Sequence, residues 1–299
     1  MTLLLQVDQL TKKYGDHQVA DTISFEIEEH TSTALIGPNG AGKTTTLSML
    51  AGLVSPTGGT IQFQKGVHQD IRSIIGFLPQ YPKFFPWLSA LEVTEMAAQL
   101  SGVNAKQATV EAKKTLEFVG LSEAMKKKTG TFSGGMKQRL GLAQAIVHKP
   151  KLLLLDEPVS ALDPVGRRQV MDLLKELQQE TTILYSTHIL NDAEEMADQL
   201  LFLRQGKLVE HGSLEEVRSR YAEPRILIEF EQLEELQRFR EAASWQVVTK
   251  GLTALIDVRA EGVEMPAVLS MLHSGAFAIR KVERQTASLE EIFMKVAVV

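Results

Sequence analysis

Gly37-Pro38-Asn39-Gly40-Ala41-Gly42-Lys43-Thr44-Thr45 fills every fixed position of the pattern G-x-x-x-x-G-K-[ST]. Leu35-Ile36 precede it as the end of a strand would, and the helix-compatible run Thr46-Leu47-Ser48-Met49-Leu50-Ala51 follows. Strand, glycine-rich loop and helix in that order predict an α/β fold with a phosphate site in the loop. Gly37, Gly40 and Gly42 allow a tight turn in which several N–H groups, that of Asn39 among them, face one point. A helix starting after Gly42 adds the positive end of its dipole. Lys43 supplies a point charge for terminal phosphates, and the Thr44 hydroxyl, with Thr45 beside it, suits Mg²⁺. The competing reading is an ordinary glycine-rich turn. Alone, the loop says that a nucleoside triphosphate binds, and nothing about its use.

The 299 residues are enough for about two domains. A hydrophobic content of 44% with 23% charged residues describes a globular chain, and a net charge of −5 carries no nucleic-acid footprint. Lys126-Lys127-Lys128 reads as a solvated loop. With no cysteine, disulfides, thiolate metal sites and cysteine catalysis are excluded. Met1-Thr2-Leu3-Leu4-Leu5 lacks the basic start of a signal peptide. No apolar run approaches the ~20 residues of a membrane helix. A membrane role would therefore need another chain to supply the span.

Leu3–Val7 and Ile23–Ile27 read as short strands around a turn at Gly15-Asp16. Thr33–Ile36 feeds the phosphate loop. Gly58-Gly59 reads as a turn before a strand Thr60–Gln64, and Ile74–Leu78 is a strand ending at Pro79-Gln80. From Ser89 to about His148 helical periodicity dominates, as in an inserted helical subdomain. Lys151–Leu155 suits a parallel strand buried on both faces, as does Thr181–Ser186 after a helix Arg167–Gln179. Leu200–Val209 reads as a closing hairpin. The pattern breaks near Arg220–Pro224, which separates a domain over 1–218 from a small α+β domain over 222–299. The expected order there is strand Ile226–Phe230, helix Gln232–Ala243, strands Trp245–Thr249 and Ala254–Val258, helix Met265–Leu272, strand Phe277–Val282 and helix Ser288–Val296.

Leu152-Leu153-Leu154-Leu155 runs into Asp156-Glu157, placing two carboxylates at a strand end, where an α/β sheet presents its chemistry. Asp156 can reach the Mg²⁺ shell, and Glu157 can orient an attacking water. The bland alternative is a buried strand followed by an acidic helix cap. Ser133-Gly134-Gly135 offers a second helix N-terminus fit to hold an anion, with Met136, Leu140, Ala143 and Val147 on one face.

Together these segments resemble the ATP-binding-cassette (ABC) ATPases over roughly residues 1–218. The phosphate loop, Ser133-Gly134-Gly135-Met136-Lys137-Gln138-Arg139 and Leu152–Pro158 carry the resemblance. It implies a P-loop fold with a mixed sheet core and a helical subdomain. It also implies roles for single residues. Tyr14 in Lys12-Lys13-Tyr14-Gly15 is similar to the aromatic that stacks on adenine. Gln80 resembles the glutamine that touches Mg²⁺ and senses a membrane partner. Ser160-Ala161-Leu162-Asp163 resembles the loop crossing a dimer seam, and His188 the switch histidine that contacts the γ-phosphate. Tyr14 and His188 have bland alternatives, a half-buried tyrosine and a core histidine. The usual signature is Leu-Ser-Gly-Gly-Gln; here Phe132 precedes Ser133 and Met136 replaces Gln. That variant, and the segment Ser288-Leu289-Glu290-Glu291-Ile292-Phe293, resemble ATPases of the ABC-2 exporter type.

The resemblance implies an ATPase that uses ATP and Mg²⁺ and works as a head-to-tail pair with a second copy of the chain. ATP would lie between Lys43 of one copy and Ser133, Gly134 and Gly135 of the other. A separate multi-span permease would hold the protein, otherwise cytoplasmic, at the inner face of the cell membrane. The aromatic cluster Tyr81-Pro82-Lys83-Phe84-Phe85-Pro86-Trp87 is either packing of the helical subdomain or the docking surface for that permease. A soluble ABC ATPase acting on ribosomes or DNA is the alternative, although such relatives usually carry two cassettes or a coiled-coil insertion. A P-loop kinase would leave Ser133–Gly135 and His188 without work. Residues 222–299 show no catalytic constellation.

Overall fold

β1 (Leu3–Tyr14) and β2 (His17–Glu28) form a hairpin around Gly15-Asp16, each strand 12 residues long. They outrun the short strands expected because irregular register between Val7 and Leu10 absorbs the polar break at Asp8-Gln9. Gln9 itself takes φ 48. Leu5, Val7, Leu10, Ile23 and Ile27 turn to one buried face. The computed structural model describes residues 2–63, 71–160, 162–221, 224–285 and 287–297. The expected turn at Gly58-Gly59 is instead the start of β4 (Gly58–Phe63), which pairs with β1; Gln64 lies outside the described residues. The chain divides into two compact units, Met1–Leu214 with Val296–Val299, and Glu215–Lys295.

In the first unit the three-stranded sheet β2-β1-β4 accompanies a six-stranded sheet. The latter contains β3 (Ser32–Ile36), β5 (Ile75–Leu78), β6 (Leu152–Asp156), β7 (Thr182–Thr187), β8 (Gln199–Arg204) and β9 (Lys207–Ser213) in the order β5-β6-β7-β3-β8-β9. All neighbours are parallel except the β8–β9 hairpin. Every residue of β3, β6 and β7 is buried, as their unbroken apolar runs require. α1 (Lys43–Leu50) follows the phosphate loop.

The segment expected to be helical holds α2 (Ala90–Leu100), α3 (Ala105–Phe118) and α4 (Gly134–Ile146). Its start at Ser89 is fixed by a capping box: the Glu92 N–H donates to Ser89 Oγ at 3.2 Å and the Ser89 N–H to Glu92 Oε2 at 2.6 Å. α4 lies on the sheet at Gly76, where a Cβ would come within 2.1 Å of the Ala145 carbonyl. α5 (Pro164–Leu177) is capped by Asp163 and starts with proline. α6 (Leu190–Met196) was not legible beforehand, being short and mostly polar. No described helix is long and apolar enough to cross a membrane.

The second unit begins within α7 (Leu214–Arg220) and contains β10 (Arg225–Phe230), α8 (Leu233–Ala242), β11 (Val247–Lys250) and β12 (Thr253–Asp257). The short α9 (Val258–Glu261), α10 (Met265–Ser274), β13 (Ile279–Gln285) and α11 (Leu289–Ala297) as far as Lys295 complete it. The antiparallel order β11-β12-β10-β13 is that of two interleaved split βαβ units. Ile226, Ile228 and Phe230 alternate inward from β10. Phe230 and Phe239 pack with ring centroids 5.3 Å apart, and Phe277 meets Phe239 edge-on at 5.6 Å. Of the expected break at Arg220–Pro224, Ala222 and Glu223 lie outside the described residues.

Gly76→Ala forces α4 away from β5. It should cost about 1–3 kcal/mol of stability, whereas Gly58→Ala, whose Cβ meets nothing closer than 3.9 Å, should cost less. Chemical denaturation of both variants tests this. Equal midpoints would mean that α4 does not lean on Gly76.

Candidate functional site

Four strand ends and one helix start make the site. β3 ends at Ile36, and the loop turns through Gly40 (φ 81) and Gly42 (φ 102) into α1. Gly42 sits against β2: a Cβ there would be 2.5 Å from the Val19 carbonyl. Gly206, in the β8–β9 turn, donates its N–H to the Ala41 carbonyl at 3.0 Å and accepts from Asp21 N at 2.8 Å. The loop is thus held between β2 and the β8–β9 turn. Pro38, Asn39 and Gly40 are exposed, as is Thr44, and the first turn of α1 holds no acidic residue. The helix dipole there is unopposed and favours an anion.

Lys43 is buried, and its ammonium donates to the carbonyls of Gly37 at 2.7 Å and Pro38 at 3.1 Å. Glu157 Oε1 lies 3.9 Å from it. Burial lowers the Lys43 pKa, while the charges of Glu157 and then Asp156 work against that shift. Asp156 ends β6 and Glu157 follows it, and neither caps a helix; Asp163 caps α5 instead, its Oδ1 accepting from Gly166 N at 2.8 Å. Gln80, two residues beyond β5, donates Nε2–H to Glu157 Oε2 at 3.0 Å. His188, just beyond β7, places Nδ1 3.2 Å from Glu157 Oε1 and is partly open to solvent, so it is not a core histidine. Lys43, Gln80, Asp156, Glu157 and His188 therefore meet, though they come from widely separated parts of the chain.

Tyr14 ends β1 and is 53% exposed, with Lys12 Nζ 4.9 Å from its ring centroid. The ring lies at the surface, with the Lys12 ammonium over one face. Ser133 caps α4 by accepting from Met136 N at 3.3 Å, with Gly134 exposed and Gly135 beside it. Ser133, Gly135 and Asp163 share a cleft of about 410 Å³, and none of the described residues lining it belongs to the phosphate loop. Of the Ser160–Asp163 segment, Ala161 lies outside the described residues.

Two polar residues not singled out from the sequence join the constellation. Ser186 bridges Asp156 and Glu157. Gln138, buried on α4, donates to the Pro158 carbonyl at 2.9 Å and ties the Ser133 helix to the turn after Glu157. For Ser186 the available signal was a polar residue within a buried strand; Gln138, between Lys137 and Arg139, carried no such signal.

The residues present fit Mg·ATP. Mg²⁺ prefers one or two carboxylates with substrate phosphates to an all-protein cage. Among the described residues no group of three or more acidic or histidine side chains forms such a cage. Asp156 and the exposed Thr44 hydroxyl match the sparser donor set.

The family profile described as ABC transporter matches residues 20–160. That described as ATP-binding protein DrrA1-3-like, C-terminal domain, matches 212–297. The uncharacterized ABC transporter ATP-binding protein YxlF of Bacillus subtilis (strain 168) is 42% identical over 297 residues, covering 98% of this chain and 99% of its own. The bacitracin transport ATP-binding protein BcrA of Bacillus licheniformis is 38% identical over 227 residues, covering 74% of this chain and 73% of its own. A solved structure of the ATP binding subunit of an ABC transporter superposes with TM-score 0.66 at 29% identity, covering 73% of this chain and 93% of that one. A dimeric ATP-binding cassette in a post-hydrolysis state, bound to ADP and Pi, gives 0.64 at 27%, covering 71% and 99%.

Gly42→Ala meets both a left-handed backbone and the Val19 carbonyl, whereas Gly40→Ala meets only the backbone cost of roughly 1–2 kcal/mol. Gly42→Ala should abolish ATP binding by isothermal titration, and Gly40→Ala should weaken it by about tenfold. Equal effects would mean that β2 does not hold the loop.

Proposed function

The chain belongs to the ABC transporter ATP-binding family and is an ABC-type ATPase, and on that premise we propose that it powers a membrane exporter as one of a head-to-tail pair of identical chains. The observation that carries this is the separation of two helix N-termini fit for anions. Lys43, Glu157 and His188 gather at the first, while Ser133 and Gly135 open into a different cleft. Ser133–Gly135 would complete the site of a second copy, which makes the interface a closed, reciprocal one. The dimeric cassette among the similar structures supports this arrangement.

The exposed amides of the loop and the α1 N-terminus bind the phosphates of ATP. Lys43 spends two donors on its own loop and keeps a third for a phosphate oxygen. Tyr14 offers a face for the adenine to stack on. Thr44 and Asp156 would hold Mg²⁺, with Gln80 near its shell. The ion supplies Lewis-acid neutralisation of the charge that builds on the phosphate oxygens. Glu157 orients a water whose oxygen bonds to the γ-phosphorus as the bond to the β–γ bridging oxygen breaks, leaving ADP and phosphate. His188 holds Nδ1 toward Glu157, which leaves its other ring nitrogen as the group that would contact the γ-phosphate. Ser133–Gly135 and Asp163 of the second copy close the site from the far side. Loss of the γ-phosphate removes a bridge between the two copies, and the pair opens.

The surface that would pass this motion on is the segment after Gln80. Tyr81 is 67% and Trp87 65% exposed, and Phe85 packs against Trp87 with tilted rings whose centroids are 5.2 Å apart. These aromatics are not core packing of the helical subdomain. Exposed Lys126, Lys127 and Lys128 lie alongside, since Ala90 N bonds to Lys127 O at 3.3 Å and Thr129 N to Leu88 O at 2.9 Å. An exposed aromatic patch marks an interface, and cytoplasmic segments of a separate multi-span permease are its fitting partner. The exporter reading draws on a relative named as a Nod factor export ATP-binding protein, 32% identical over 99% of this chain.

Glu157→Gln should keep ATP binding and trap a dimer. Size-exclusion with saturating Mg·ATP should show it at dimer size; a variant that stays monomeric sinks the pairing. Trp87 docking is read by oxidative labelling in a Trp245→Phe background, which leaves Trp87 as the one tryptophan. Co-reconstitution with the multi-span protein that co-purifies from membranes should protect Trp87. Unchanged labelling would reject the docking surface.

A further inference from the structure

We infer that the Ser186 hydroxyl is the positioning group that sets Asp156 and Glu157 relative to each other. Ser186, the penultimate residue of β7, lies opposite Asp156 in register and is fully buried. Its Oγ donates to Asp156 Oδ1 at 2.6 Å and accepts the Glu157 N–H at 2.9 Å. A hydroxyl has one donor and two acceptor lone pairs, so this one group satisfies both neighbours at once. An alanine would satisfy neither.

Two consequences follow for the chemistry. With Oδ1 engaged by Ser186, Asp156 keeps Oδ2 for a cation. Hydrogen bonds to a ligating carboxylate fix its orientation and tune its affinity. Glu157 meanwhile stands at φ 46, a left-handed backbone that residues other than glycine rarely adopt. That conformation is pinned from both sides. Ser186 holds the Glu157 N–H, and the Ser160 hydroxyl donates to the Glu157 carbonyl at 3.2 Å. The turn directs the Glu157 carboxylate to Gln80 at 3.0 Å and His188 at 3.2 Å. Ser186 lies two residues before His188, so the metal-side carboxylate, the water-side carboxylate and the histidine are all anchored at one strand end. The inference rests on the reading of Asp156 as the metal-side and Glu157 as the water-side group.

The test compares Ser186→Ala and Ser186→Thr with the unsubstituted chain. Nucleotide binding is titrated with ATP in EDTA and with Mg²⁺ added, kcat and KM are measured separately, and thermal melting is recorded without nucleotide. Ser186→Ala should lose about tenfold or more in both kcat and the Mg²⁺-dependent part of ATP affinity. Its binding in EDTA should stay close to that of the parent, while KM for Mg·ATP rises with the lost Mg²⁺-dependent affinity. Ser186→Thr, which keeps the hydroxyl on a residue suited to a strand, should restore most of both losses. An alanine variant with parental kcat and Mg²⁺ dependence overturns the inference. So does one that loses EDTA binding and melting temperature together without rescue by threonine, since that is a packing role alone. Asp156→Asn is run in parallel. If it leaves Mg²⁺ dependence untouched, the assignment of Asp156 fails, and the test of Ser186 then rests on kcat and threonine rescue.

Discussion

Parallel in-register pairing of β3, β7 and β6 places Ile36 beside Thr187 and Ser186 beside Asp156. Three strand ends thus arrive at one level, and the chain leaves each through a residue with work to do. Beyond Ile36 comes the phosphate loop, beyond Asp156 the carboxylate Glu157, and beyond Thr187 the imidazole His188. A slip of one residue in any strand would turn its buried side chains to the other face. With all positions of β3, β6 and β7 buried, the apolar cost of such a slip is spread over the whole sheet. The register of the sheet therefore sets which residues meet at the site.

On that frame sits a small buried electrostatic cluster. Taking Lys43 and Glu157 out of water carries a penalty that one ion pair at 3.9 Å does not repay. The remaining balance comes from hydrogen bonds: Gly37 and Pro38 carbonyls on the lysine, Gln80 on the glutamate. Each charged group is held in place before any ligand arrives. Fixed dipoles and charges aimed at a reacting phosphate need no reorganisation during the reaction, which is where much of a hydrolase's acceleration originates.

The parts of this site legible in the sequence are those whose geometry is local. Gly37 to Thr45 specifies its own turn and helix start, and Leu152–Glu157 announces a buried strand ending in carboxylates. The parts that stayed hidden depend on which strand lies beside which. Ser186 is an unremarked polar residue until β7 is set against β6. Lys126–Lys128 reads as a plain solvated loop until its backbone is bonded beside Trp87. In the second unit the alternation of strands and helices was readable, yet the pairing of β10 with both β12 and β13 joins residues far apart in the chain. Strand lengths were underestimated at β1 and β2 because irregular register let both strands continue past polar breaks.

One partly buried ion pair links the helix capped by Asp163 to the helix that follows His188. Asp163 caps α5, and one turn later Arg167 on that helix donates Nε–H to Asp192 Oδ1 at 2.9 Å. Asp192 belongs to α6, which begins two residues after His188. Burial raises the Asp192 pKa, and Arg167 counters that shift by hydrogen bond and charge. The Tyr185 hydroxyl, donating to the Asp192 carbonyl at 3.2 Å, fastens the same helix to β7. A buried charge left without its partner is far more costly than the intact pair is favourable. α5 and α6 are therefore tied to each other and to β7, next to the segment that carries His188.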